Sequence, residues 1–444
     1  MVAVVLYAFA TDERSSRGIE RHCRQDVAYR VITGNRVPDH ATIARFIVRH
    51  EAALSDLFSA VLGLCARAGL VASGIVAVDG TKFHANASRD ANVSYDQIAR
   101  EVLADAVATD EAEDEIYGDK RGDELPEELQ TDAGRRAWLA RELARDRIDQ
   151  DEGTEPAAGH EFDQERIVAR VQGRHGWLLE AKRQLDQDRW RDAARVPRSR
   201  APRLRESARR LEDELAAERR GNQAYEEYRA HGRMKNGRRL GAPPKPYEPP
   251  DTPPGEVNTT DPDSRVMKAF RGWVQGYNVQ TAVNENQIAL AGEITAETID
   301  FGQLSPMTDA TVRELEAARG QRPPVGHIGR RGLLQRAAHG RRDRRARLNV
   351  LIPPDSSRRK GPRPGWTSGR PSFMRRILDN PVGSQLYRQR KQTLEPVFAH
   401  TKHNRHINRF HRRGRTAVRT EWRLILMTRN LTKLHRHNLA AATG

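Results

Sequence analysis

Cysteine, aromatic residues and long apolar runs are all scarce in this chain of 444 residues, and each shortage excludes something. Two cysteines, Cys23 and Cys65, cannot build a disulfide framework and show no CxxC spacing for zinc, so a reducing cytoplasm is the expected setting. No apolar run approaches the roughly 18 residues of a membrane span. The apolar start, Val2 to Phe9, lacks a basic leader and a small-residue cleavage site, so a soluble, unexported chain is expected. Only 37% of residues are hydrophobic and 31% are charged, with a mean hydropathy of −0.78. That balance predicts long solvated helices beside a smaller packed core, in two or three units.

Acidic residues are short in the last quarter alone. Residues 321–444 hold 30 lysines and arginines against 5 acids, whereas residues 1–320 hold 46 against 55. The net charge of +16 is therefore a local property, and counterion release favours a polyanion such as DNA or RNA as the partner of that segment. Tyr387, Phe398, Phe410, Trp422, Leu424 and Leu426 interleave with the cations, which predicts a folded basic region rather than a solvated tail.

Apolar spacing predicts helices over Arg17 to Ile32 and Ala41 to Val61, with a turn and N-cap at Pro38-Asp39. This module, residues 1–70, is a packing unit with a DNA-contacting helix at Thr42 to His50 as the lesser reading. Within residues 71–94, Gly74-Ile-Val-Ala-Val-Asp79-Gly80 reads as a buried strand delivering Asp79 at its carboxyl end, the position where α/β sheets carry chemistry. A plain Asp-Gly turn would explain the same residues. Residues 95–240, rich in Glu, Asp, Arg and Ala, predict a coiled-coil-like helical insertion with Leu204, Leu211 and Leu215 on one stripe. A Pro-rich linker follows at 241–256, and 257–444 completes the core. There Trp273 to Val283 and Gln287 to Ile294 form a hairpin about Asn284-Glu285-Asn286, followed by a helix from Gly302 to Arg319, a strand at Asn349 to Ile352, and mostly helix from Gly383 to Leu439.

This order predicts an α/β fold with a ribonuclease-H-like mixed sheet. In such a core, acids from distant segments hold two divalent ions about 4 Å apart that act on a phosphodiester. Asp79 is one candidate and Glu395 the other, with Lys402 seven residues beyond Glu395 on the same helical face. A surface ion pair would also account for that spacing. His400, His403 and His406 recur every three residues without convergent cysteines and read as phosphate-facing or surface residues.

Several motifs together resemble bacterial insertion-sequence transposases of the DDE class, in particular the IS-eleven-eighty-two group of the IS-four/IS-five-like superfamily. They are Val78-Asp79-Gly80-Thr81-Lys82 continuing to Ala85-Asn86-Ala87-Ser88, Thr260-Asp261-Pro262-Asp263-Ser264-Arg265, Gly276-Tyr277-Asn278-Val279-Gln280, Gln303-Leu304, and the helix Tyr387-x2-Arg390-x4-Glu395-x6-Lys402. Ser15-Ser16-Arg17-x-Ile19-Glu20 with Asp26 to Arg30 is similar to that family's N-terminal helices, and Tyr117 to Pro126 to its insertion. The resemblance implies Asp79 and Glu395 as catalytic metal ligands, Mg²⁺ or Mn²⁺ as cofactor, and Lys82, Tyr387, Arg390, Lys402 and Arg405 as DNA contacts. It implies element ends and target DNA as partners and a nucleoid-associated protein, and leaves a homodimer open.

Two departures qualify the resemblance. Family members begin several tens of residues earlier, so this chain is expected to be truncated at its N-terminus. The family's middle aspartate lies in an Ala-Asp-Ala-Gly-Tyr strand, where this chain reads Gly329-Arg-Arg-Gly-Leu-Leu-Gln-Arg-Ala-Ala-His-Gly-Arg-Arg-Asp343. Back-translated with chosen codons and read one base later, that segment yields Ala-Asp-Ala-Gly-Tyr-Cys-Asn-Glu-Gln-His-Met-Asp-Asp-Val. Two compensating frameshifts, before Gly329 and before Asn349, are expected to have replaced the strand, leaving eight arginines between 330 and 347. Asp343 and Asp355 read as surface residues rather than substitutes. The expectation is a transposase copy with impaired metal binding and no activity; the alternative is a non-catalytic DNA-binding remnant.

Overall fold

The computed structural model describes residues 1–71, 75–117, 131–151, 173–191, 199–231, 246–269, 272–298, 303–319 and 369–443, with positions 129, 196, 197, 234, 235, 238, 239 and 300. The chain divides into two compact units, one of residues 1–86 and 266–444, the other of 87–265. The expected strand at Asn349 to Ile352, the arginine-rich segment, Asp343 and Asp355 lie outside the described residues.

The first unit opens with α1 (Val2–Ala10), α2 (Ser16–Gln25), α3 (Val27–Thr33), α4 (His40–Arg49) and α5 (Glu51–Arg67). The helix expected over Arg17 to Ile32 is two helices, because the Asp26 carboxylate accepts the Ala28 N–H at 2.8 Å and starts a new one. The helix expected over Ala41 to Val61 also breaks, at His50. Asp39 caps α4 as its place after Pro38 predicts, accepting the Thr42 N–H at 2.8 Å.

The sheet of this unit has β7 (Gly272–Asn284) paired with β1 (Val76–His84), β6 (Arg265–Ala269) and β8 (Ala289–Thr295). The β1–β7 and β7–β8 pairings are antiparallel, so the described registers do not make the expected mixed sheet. Asp79 does not end its strand. Pairing with β7 carries β1 on to His84 and sets Asp79 opposite Thr281, overriding the local Asp-Gly turn signal. The β7–β8 hairpin turns where its asparagines predict: Asn284 Oδ1 accepts the Ile288 N–H at 2.9 Å, and Gln287 adopts φ 56°.

Four helices complete the unit: α10 (Leu304–Arg319), α11 (Gly369–Asp379), α12 (Pro381–Ala399) and α13 (Arg415–Thr443). The helices between α5 and α10 in the chain belong to the second unit. The long C-terminal helix is interrupted where a π-turn, His400–Asn404, follows Pro396, a residue that cannot donate to the helical ladder. Trp422 of α13 is fully buried against Phe83 of β1, ring centroids 5.1 Å apart, with Phe410 5.4 Å from Phe83. Gly292 allows this approach, since a Cβ there would stand 2.4 Å from Leu426 Cδ1.

Much of the C-terminal positive charge is consumed in this packing. Arg419 Nη2 meets Glu293 at 2.7 Å, Arg423 meets Glu314 at 2.6 Å, Arg412 meets Glu51 at 2.8 Å, and Arg405 pairs with Asp12. Composition predicts a basic face; the fold turns several of its arginines inward to buried carboxylates, a placement that needs partners for every charge.

The second unit pairs β2 (Asn92–Ser94) with β5 (Glu256–Asn258) and is otherwise mostly helical: α6 (Tyr95–Tyr117), α7 (Asp132–Asp151), α8 (Arg174–Arg191) and α9 (Arg200–His231), with the short antiparallel pair β3 (Met234–Lys235) and β4 (Arg238–Arg239). Leu204 and Leu211 of the predicted stripe are buried with Ile98, Val102, Leu139 and Leu143. Trp177 packs on Tyr225 while Arg189 reaches Asp213, so α8 and α9 run antiparallel. Asp263 of the Thr260 to Arg265 motif pairs with Arg210 and Arg265 pairs with Glu214, which makes those charges part of this unit's own packing.

Candidate active site

Two elements of the first unit, β1 and α12, bring the candidate residues together. Asn380 caps α12 by accepting the Val382 N–H at 2.9 Å, and Pro381 fits the first helical position. Leu394 and Val397 are buried, and this packing lays the helix along β1. Arg390 Nη1 thereby reaches Asp79 Oδ2 at 2.9 Å, with its guanidinium 5.5 Å from the Tyr387 ring centroid.

Asp79 accepts the Gly80 N–H at 3.0 Å. Burial raises its pKa above the ordinary carboxylate value; Arg390 and the Gly80 N–H oppose that rise, and the negative charges of Asp300 and Glu395 add to it. Glu395 itself is exposed, five residues beyond Arg390 on α12. The arrangement is a carboxylate short of positive charge and held by one guanidinium, with a second carboxylate near enough to repel it.

Lys402 follows on the π-turn and points inward. Its Nζ donates to Thr81 Oγ1 at 2.6 Å and to the Lys82 carbonyl at 2.8 Å, and lies 4.7 Å from the Phe83 ring centroid. Burial, helped by Lys82, pushes its pKa down to about 8. Arg405 is also turned inward: its guanidinium donates to Asp12, to the Phe9 carbonyl, and at 3.2 Å to the Ile425 carbonyl. The structure therefore gathers Asp79, Glu395, Arg390 and Tyr387, with Lys402 tied to β1 through Thr81 on the same face as Asp79 and Arg405 stapling the C-terminal segment to α1.

Lys82 leads to a residue that sequence reasoning missed. Its Nζ lies 3.5 Å from Asp300 Oδ1, which also accepts from Asn278 Nδ2 and Gln280 Nε2, each at 2.8 Å. Asp300 stands in no recognisable motif; the signal that could have found it is the placement of Gly80, Lys82, Asn278 and Gln280 at positions that a sheet register would oppose.

Hard carboxylate oxygens from Asp79 and Glu395 suit a divalent ion such as Mg²⁺. Among the described residues no group of three His, Cys, Asp or Glu side chains converges to hold one, and His400, His403 and His406 form no such group. The donor set among the described residues is thus partial, and its Asp79 oxygen is engaged by Arg390.

Comparison with known families agrees at both ends of the first unit. Residues 361–435, which contain α12 and most of α13, match the family model described as a transposase DDE domain. Residues 1–49 match the model described as a transposase domain (DUF772). The chain thus matches transposase family models at its two ends, the C-terminal one a DDE domain. No curated protein matches the chain, and no solved structure does. Among the described residues no helix is long and apolar enough to cross a membrane.

Proposed function

We propose that the chain is an insertion-sequence transposase of the IS-eleven-eighty-two group, built on a ribonuclease-H-like core, whose acidic site has lost its middle aspartate. The observation that carries this reading is the convergence of Asp79 and the Arg390 to Glu395 helix, remote segments that fold into contact inside the unit matched at both ends by transposase models. Three antiparallel strands, β1, β7 and β8, followed by α10, agree with the first half of such a core.

DDE transposases work with divalent ions, which supply polarisation of the scissile phosphate and activation of the attacking hydroxyl. Asp79 and Glu395 would hold such an ion. Tyr387 and Arg390, beside them on α12, are suited to stack on and pair with the terminal DNA. Lys402, bonded to Thr81 Oγ1 and the Lys82 carbonyl, ties the turn after α12 to β1. The arginine-rich stretch between 330 and 347 puts cations where the family carries its second carboxylate, and two carboxylates are a poor cage for two divalent ions. The copy is therefore read as DNA-binding and catalytically silent.

The test is a strand-cleavage and strand-transfer assay on cognate element ends in Mg²⁺ and Mn²⁺, run beside salt-dependent DNA binding. Binding with a steep salt slope and no cleavage supports the reading. Cleavage that Asp79→Ala abolishes would show that another group replaces the lost aspartate, and absence of any DNA binding would overturn the transposase assignment.

A further inference from the structure

The motifs Val78 to Lys82 and Gly276 to Gln280 hold more polar residues than the acidic site uses. The β1–β7 register sets Gly80 opposite Gln280 and Lys82 opposite Asn278, so alternation places these four on one face of the sheet and Asp79 and Thr81 on the other. Asn278 and Gln280 are almost fully buried, at 0% and 2% exposure. Buried amides are costly unless they are hydrogen-bonded, and here both donate to one oxygen, Asp300 Oδ1, at 2.8 Å, with Lys82 Nζ 3.5 Å away.

Space for that oxygen exists only because residue 80 is glycine. A Cβ there would fall 2.1 Å from Gln280 Nε2 and 2.4 Å from Asp300 Oδ1. The donors belong to paired strands and are rigidly placed, whereas the acceptor comes from the connection after β8 and its side chain is 51% exposed. A fixed cradle of two amides and an ammonium, centred on one anionic oxygen, is therefore filled by a half-exposed carboxylate.

We propose that Asn278, Gln280 and Lys82, gathered over Gly80, form a binding site for a backbone phosphate of DNA, and that the Asp300 carboxylate fills it in the free protein. A phosphodiester oxygen offers what the cradle receives from Asp300: an acceptor without hydrogens that carries about one negative charge. The site adjoins Asp79 in sequence but lies on the opposite face of the sheet, so a phosphate seated there is held across β1 from the candidate metal ligand. The identity of the ligand as DNA rests on the transposase reading; the anion site itself does not.

The experiment uses the full chain and two probes, inorganic phosphate and duplex DNA. In Asp300→Ala, inorganic phosphate is expected to raise the melting temperature, with no such rise in the unsubstituted protein. The slope of log affinity for DNA against log salt is expected to steepen by about 0.9, the contribution of one added phosphate contact. Gln280→Ala in the Asp300→Ala background changes no charge and is expected to remove both gains. Asp300→Ser, whose side chain is too short to fill the cradle, replaces Asp300→Ala if that variant does not fold. An unchanged slope with no phosphate response overturns the proposal, as does a gain that survives Gln280→Ala, because that gain would be a general charge effect. A phosphate response without any change in DNA binding overturns DNA as the ligand. If the unsubstituted chain fails to bind DNA while Asp300→Ala still responds to phosphate, the transposase reading falls and the anion site stands.

Discussion

Arg390 occupies Asp79. The 2.9 Å contact between Nη1 and Oδ2 joins the cation of α12 proposed to meet DNA phosphate to the carboxylate proposed to bind a metal, so in that reading each holds the other away from its outside partner. A guanidinium stabilises the ionised carboxylate much as a divalent ion would, but it offers no open coordination position for substrate.

Replacing Arg390 by Met should therefore move metal and DNA binding in opposite directions. Mn²⁺ affinity, followed by the EPR signal of the free ion, should rise by on the order of tenfold, the effect of removing one neighbouring charge. The salt slope of DNA binding should shrink by about 0.9 for the lost phosphate contact. A fall in Mn²⁺ affinity would mean that Arg390 does not compete with the ion.

Catalysis should be more sensitive than binding to the altered middle segment. DNA affinity sums many phosphate contacts, whereas phosphoryl transfer needs ligands acting as a unit. Replacing residues 329–348 with the sequence read one base later should restore cleavage of element ends, and Asp79→Asn in that repaired chain should abolish it. The gene itself provides a second check: its nucleotides over Gly329 to Leu334 should encode Ala-Asp-Ala-Gly-Tyr one base out of frame.

Lys402 should make stability depend on alkaline pH. Its folded pKa of about 8 lies below the 10.5 of the free side chain, so the unfolded chain holds the proton more tightly. Stability should then rise as pH increases from about 8 to 10.5, as the folded state ceases to carry a buried charge. Lys433, also pushed down to about 8, contributes in the same window. Urea denaturation of Lys402→Met should show greater stability at pH 7 and roughly half the alkaline rise; an unaltered pH profile would sink this account.

The Arg419–Glu293 pair should be costly to break and cheap to replace. Glu293 is only 6% exposed, and Arg419→Ala would leave its carboxylate without this partner. A loss of about 3 to 5 kcal/mol in urea denaturation is expected. Arg419→Met with Glu293→Leu should recover most of it, because neither charge of the pair is left unpartnered and Arg423, 3.9 Å from Glu293, keeps Glu314.

Local signals that depend on neighbouring residues were legible before any fold was known. Asp39 after Pro38 announced an N-cap, the asparagines at 284 and 286 announced a turn, and the leucines at 204 and 211 announced a buried stripe; all three are found. Element ends were less legible where pairing decided them. Nothing near Asp79 says that β1 runs on to His84, because that length is imposed by β7 about two hundred residues later. The break at Asp26 was missed for a different reason: apolar periodicity continues through it, while one carboxylate redirects the backbone.

Charge shows the division most clearly. Composition alone determined that cations dominate the last quarter and that a polyanion suits them; that Asp79, Glu395, Tyr387 and Lys402 belong to one site was implied only by the resemblance to DDE transposases. Which cations stay available was decided only by tertiary structure. Arg405, Arg419 and Arg423 are chemically equivalent to Arg390 in sequence, yet the fold sets them against Asp12, Glu293 and Glu314. It sets Arg390 against Asp79 and gathers Lys82, Asn278 and Gln280 around Asp300, because electrostatic and hydrogen-bond partners are chosen by distance in space, over a few ångströms, and sequence separation carries no information about that distance.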